Sequence, residues 1–141
     1  MRVKGRVNGR VSGRRPALVA ACAGLAACAG LAACGSGAAR RADARVATNG
    51  RPDAGPAAIA RYGCGSCHTI PGVRGAAGEA GPPLTRFARR TYVAGVLPNT
   101  SENLVRWVRY PQQVVPGNAM PDLGVSEADA RNIAAYLYTL R

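Results

Sequence analysis

The chain has 141 residues and a formal net charge of +12, from 18 arginines and one lysine against seven acids. Six of the basic residues fall in the first fifteen positions; from Pro52 to Arg141 nine arginines face six acids, leaving +3. That length admits one domain. The small residual charge excludes dedicated nucleic-acid binding, which needs a basic surface on the folded domain itself.

The N-terminus reads as an export segment. A basic stretch, 1–15, precedes 24 residues without a charge, Pro16 to Ala39, which is the order of regions in a signal peptide. Cysteines at 22, 28 and 34 each follow an apolar residue and two alanines. This pattern resembles the bacterial lipobox, whose cysteine is lipidated and becomes the mature N-terminus. Cys34 is the expected lipidation site because Gly35-Ser36-Gly37 follows it, and Cys28 competes because it leaves a shorter apolar region. An uncleaved membrane anchor and a simple cleaved signal are the other readings of 1–33; the segment is mostly Ala and Gly, weakly apolar for a permanent span. Arg14-Arg15 partly matches a twin-arginine signal. Residues 34–52 show no apolar periodicity and read as a flexible tether, with a mean reach on the order of 20–25 Å.

The domain is expected over 53–141. Its first helix is predicted from Asp53 to Gly63, with Asp53 as N-cap and Ile59 facing inward. Cys64-Gly65-Ser66-Cys67-His68 follows, the Cys-x-x-Cys-His spacing of c-type haem attachment. Two thiols add to two vinyl groups along one side of the porphyrin, and the adjacent imidazole then reaches the iron. A thiol-redox motif would need a βαβ setting, and the preceding residues look helical. A structural zinc site would need a second pair of ligands; the other cysteines lie in the leader, and His68 is the only histidine.

Gly72 to Gly81 is glycine-rich, allowing backbone to approach a porphyrin edge, and a short helix is predicted over 84–90. Thr100 or Asn99 caps a helix from Ser101 to Tyr110, ended by Pro111, with Leu104, Trp107 and Val108 on one face. The second axial ligand follows by elimination. The only methionines are Met1 and Met120, and Met1 belongs to the leader. Met120 sits in Pro-Gly-Asn-Ala-Met-Pro, 116–121, a loop suited to presenting a thioether. The last helix is predicted from a Ser126 cap with Asp129 three residues on, and Ala130, Ile133, Ala134, Leu137 and Leu140 form its apolar stripe. His/Met ligation leaves no open iron position and favours ferrous iron, which is carrier chemistry.

Residues 53–141 resemble the class I cytochrome c family. Besides CGSCH, Gly81-Pro82-Pro83-Leu84 matches the family's Gly-Pro-x-Leu. The stretch 78–120 is most similar to the cytochrome c domain fused to some cytochrome c oxidase subunits II. The resemblance implies an all-α fold of three to four short helices and loops wrapped round one covalent haem c. It implies that the Pro82 carbonyl accepts a hydrogen bond from His68, that Leu84 packs on the ring, and that Trp107 bonds a haem propionate. It also implies that the first and last helices cross, Gly55, Ile59 and Tyr62 against Ala134, Tyr136 and Leu137. The expected function is a membrane-tethered one-electron carrier, not an enzyme, on the extracytoplasmic face of the bacterial cytoplasmic membrane. Its partners would be redox proteins, a terminal oxidase or a quinol–cytochrome c reductase, steered by Arg86, Arg89, Arg90, Arg106 and Arg109 if these cluster. A permanent haem subunit of a dehydrogenase or oxidase complex is the alternative, and a haem enzyme or sensor with open iron a third.

Overall fold

A computed structural model describes residues 36–141. The leader, with Cys22, Cys28 and Cys34, lies outside the described residues. The helical expectation holds for the domain. The elements are α1 (36–48), a 3-10 turn at Pro52–Ala54, α2 (Gly55–Arg61), α3 (Ser101–Arg109), the single turn α4 (Pro111–Val114) and α5 (Glu127–Thr139). No described helix is long and apolar enough to cross a membrane.

Helix α5 is the spine, packing against α2, the Pro52–Ala54 turn and α3. Its start is the capped one foreseen: Ser126 Oγ accepts from the Asp129 N–H at 3.1 Å. Its inner stripe, Ala130, Ile133, Ala134 and Leu137, is buried. The α2–α5 crossing depends on Gly55, where an added Cβ would lie 2.8 Å from the Asn132 carbonyl and against the Tyr136 side chain. Only glycine lets these backbones approach so closely. Ile59, buried on α2, joins Ile70, Phe87, Leu104, Val108, Ile133 and Leu137 in one core.

Several local features depart from the sequence reading. Residues 36–48, expected as part of a flexible tether, are helical, and this helix touches the domain along a narrow line at Ala44 and Thr48, both buried. Alanine- and arginine-rich sequence has high helix propensity, and small residues can pack without the broad apolar stripe that periodicity detects. Polar bonds secure the junction: Arg131 Nη1 donates to the Thr48 carbonyl (3.2 Å), the Arg51 N–H donates to Asn132 Oδ1 (2.8 Å), and Arg41 pairs with Asp53. Asp53 is therefore not an N-cap. Pro52 occupies the first position of the turn and starts it one residue earlier.

The helix expected over 84–90 shrinks to a 3-10 turn, Phe87–Arg89, because Arg86 adopts a left-handed conformation (φ 49°) that no helix interior accepts. Pro111 ends α3 and also opens α4, a position where its missing N–H costs nothing. A two-stranded antiparallel ribbon, β1 (Tyr92–Val93) and β2 (Leu97–Pro98), pairs Val93 with Leu97. It is too short to show alternation in the sequence.

Tyr138, on α5, anchors the region before α3 by donating to Asn99 Oδ1 (3.0 Å). Burial, with a smaller contribution from Glu102, pushes its phenol up to about 12. The folded chain thus keeps a proton that the unfolded chain releases near pH 10. This contribution is full below pH 10 and is lost as pH rises towards about 12. Tyr138→Phe is expected to flatten that alkaline stretch in denaturant midpoints measured against pH, while lowering stability at neutral pH by about 0.5–1.5 kcal/mol for the lost hydrogen bond.

Candidate functional site

The core surrounds a cavity of about 560 Å³ whose walls come from every part of the domain. Cys64, Cys67 and His68 line it from the segment after α2, Pro82 and Leu84 from the following loop, Trp107 from α3 and Met120 from the loop before α5. The seven residues expected to hold or contact the haem therefore line one space. Among the described residues, no group of three or more His, Cys, Asp or Glu side chains could hold a metal ion.

The Cys64–His68 segment opens with a 3-10 turn, Cys64–Ser66, and the His68 N–H donates to the Cys64 carbonyl at 3.1 Å. Cys64, Cys67 and His68 from this segment all line the cavity. Burial pushes the Cys64 thiol up, with a smaller upward push from Cys67, while its backbone hydrogen bond pulls the other way. A reactive redox cysteine needs the opposite shift.

Two adjacent residues, Pro82 and Gly81, hold the His68 ring. Nδ1 lies 2.8 Å from the Pro82 carbonyl. A carbonyl can only accept, so Nδ1 carries the proton and Nε2 keeps the lone pair that a metal requires. Gly81 also presses against the ring, and a Cβ there would lie 2.6 Å from Nδ1. Gly81→Ala is expected to tilt the imidazole and cost about 1–3 kcal/mol by overpacking, read as a lower melting temperature and a reduced yield of low-spin holoprotein.

Arg90 takes a different place from the surface role considered above. Its side chain lines the cavity, donates to the Pro83 carbonyl and lies over the Phe87 ring at 5.1 Å. Arg109 is likewise engaged, paired with Glu127 at 3.2 Å and stacked on Tyr110. Arg86, Arg89 and Arg106 remain exposed.

The sequence reading missed Gln112 and Asn118. Asn118 Oδ1 accepts from the Met120 N–H (2.7 Å), and Gln112 Nε2 donates to the Met120 carbonyl (2.7 Å). Amides in a proline-bounded stretch look solvated; the signal available was their position just upstream of the lone domain methionine. Tyr62 was also underread. Its hydroxyl donates to Asp129 Oδ2 (2.9 Å) and accepts from the Ser126 N–H (3.3 Å), joining the end of α2 to the start of α5.

The donor set fits a covalently held porphyrin: two thiols, one oriented imidazole and one thioether on the walls of a space of ligand size. The family model for cytochrome c matches residues 53–141. The chain belongs to the cytochrome c family. Membership implies a covalently bound haem c and electron transfer.

Among curated proteins, the cytochrome is 42% identical over 79 residues to a cytochrome c oxidase subunit 2 of Alkalihalophilus pseudofirmus, covering 55% of this chain and 22% of that protein. It is 35% identical over 77 residues to the Bacillus subtilis cytochrome c oxidase subunit 2 (53% and 22%). It is 33% identical over 88 residues to the cytochrome c oxidase subunit 2 of a Bacillus species (60% and 25%). The chain thus spans a quarter or less of the length of these relatives. No solved structure matches it significantly.

Proposed function

We propose that this cytochrome is a membrane-tethered, mono-haem, one-electron carrier that feeds a terminal oxidase. Cys64 and Cys67 would carry the two thioether bonds, and His68 Nε2 and the Met120 sulfur would be the axial ligands. The bound haem supplies one-electron Fe(III)/Fe(II) exchange, at a potential raised by the soft thioether.

The protein's own tasks follow from the geometry. Pro82 and Gly81 hold the His68 ring in one orientation and one tautomer. The apolar walls, Ile59, Ile70, Leu84, Phe87 and Leu104 among them, would pack against the porphyrin. Trp107 and Arg90 supply polar and cationic wall groups suited to ring carboxylates. With both iron faces filled, no site is left for oxygen or a substrate, so a haem enzyme is disfavoured. The observation that carries this reading is the convergence of Cys64, Cys67, His68 and Met120 on one cavity.

Lipidation at Cys34 would tether the carrier to the extracytoplasmic face of the membrane; the lipobox-like spacing supports this. The oxidase assignment draws on the relatives, all named as oxidase subunits. The same finding favours a second reading, a permanent haem subunit of an oxidase complex, which stoichiometric co-purification would reveal and a freely released carrier would not.

Optical and EPR spectra of the purified holoprotein test the ligand set. A low-spin spectrum with a methionine–iron band is expected; high-spin, five-coordinate iron would overturn the proposal. Mass spectrometry of the mature N-terminus tests the anchor, with a lipid-modified Cys34 expected.

A further inference from the structure

Met120 lies outside regular secondary structure, so something other than a helix or strand must fix its sulfur. Met120's peptide is gripped at both ends by side-chain amides, and both the Nε2 and the Oε1 of Gln112 bond to this loop. Its Nε2 donates to the Asn118 carbonyl (2.9 Å) and to the Met120 carbonyl (2.7 Å). Its Oε1 accepts from the Gly117 N–H (3.1 Å). Gln112 is half-buried and held on α4, whose first residue, Pro111, is buried. Asn118 completes the frame, donating to the Pro111 carbonyl (2.9 Å) and the Val115 carbonyl (2.6 Å). Gln113, the next residue, has an exposed side chain that enters none of these bonds.

We infer that Gln112 is the positioning residue for the sixth ligand. Resting on the His68/Met120 reading above, its amide templates residues 117–120 and thereby holds the Met120 sulfur on the iron. Release of the sulfur by an outward swing of the loop breaks these bonds. Removing the amide strands two carbonyls and one N–H, which lowers the cost of the opened loop relative to the closed one.

The test uses the holoprotein with Gln112→Leu, Gln112→Glu and the neighbouring control Gln113→Leu. Cyanide binding to the ferric protein reports departure of the Met120 sulfur. Both Gln112 variants are expected to bind cyanide about ten-fold faster, the equivalent of ~1.4 kcal/mol. They should also show a weaker methionine–iron band and a lower midpoint potential, with both thioether links intact by mass spectrometry. Gln113→Leu should behave as wild type. Wild-type cyanide kinetics in Gln112→Leu overturn the inference, as does equal acceleration in Gln113→Leu.

If the Gln112 variants yield no holoprotein, hydrogen exchange in the unaltered protein decides. The Gly117 N–H should exchange at least about ten-fold more slowly than in an unstructured peptide, and an unprotected Gly117 overturns the inference. A wild type lacking the methionine–iron band would overturn the ligand reading and the role of Gln112 with it. A normal band with unchanged variant kinetics removes the role alone.

Discussion

Prepared without haem, the chain is expected to show no cooperative thermal transition and no fixed near-ultraviolet circular dichroism, while keeping part of its helical signal. The cavity walls and the hydrophobic core are largely the same residues: Ile59, Ile70, Phe87, Leu104, Val108, Val125, Ile133 and Leu137 belong to both. Left empty, a space of about 560 Å³ would strip those side chains of packing partners and let water in against them. The space must therefore be filled or must collapse. With seven aromatics in the whole chain, there is little bulk with which to collapse onto a new core. A sharp melting transition in the haem-free protein would show that the helices sustain the fold by themselves.

Met120→Ala is expected to leave a folded holoprotein whose iron is open on one side. The loop should persist, because its bonds to Gln112 and Asn118 run through the Met120 backbone and not through its side chain. The midpoint potential should fall by a sizeable part of the ~0.8 V span that axial ligands command. The low-spin methionine signature should vanish, and carbon monoxide or cyanide should bind rapidly. The His68 side should be unaffected, since its contacts to Pro82 and Gly81 lie in a separate segment. An unchanged spectrum in this variant would remove Met120 from the iron and with it the carrier reading. Together the two experiments separate what the porphyrin does for the fold from what the thioether does for the iron.

Legibility from sequence varied with the kind of constraint. Cys64, Cys67 and His68 stood out because covalent chemistry would dictate their spacing, and Met120 because the domain offers no rival donor; the structure places all four on one cavity. The Ser126 cap and the α5 stripe were readable because both are local rules. Helix α1 was not, since two small buried residues and a few arginine contacts leave no periodic trace. The Asp53 expectation failed because two strong start signals, an aspartate and a proline, sit side by side, and the proline's fixed φ prevailed. Gln112 escaped notice for a different reason. Its value lies in backbone groups several residues away, and such partners are assigned only once the chain has folded.

Helix α1 also changes how the anchor would work. If Cys34 carries lipid, a single residue separates it from the first described helical position, a span of roughly 7 Å at full extension. A carrier on a long leash can swing between distant stations. One mounted on a stub fused to its own body must travel by gliding with its lipid in the plane of the bilayer. Donor and acceptor would then have to present their docking faces at one common height above the headgroups, and distance along the membrane, not reach away from it, would set the rate of delivery.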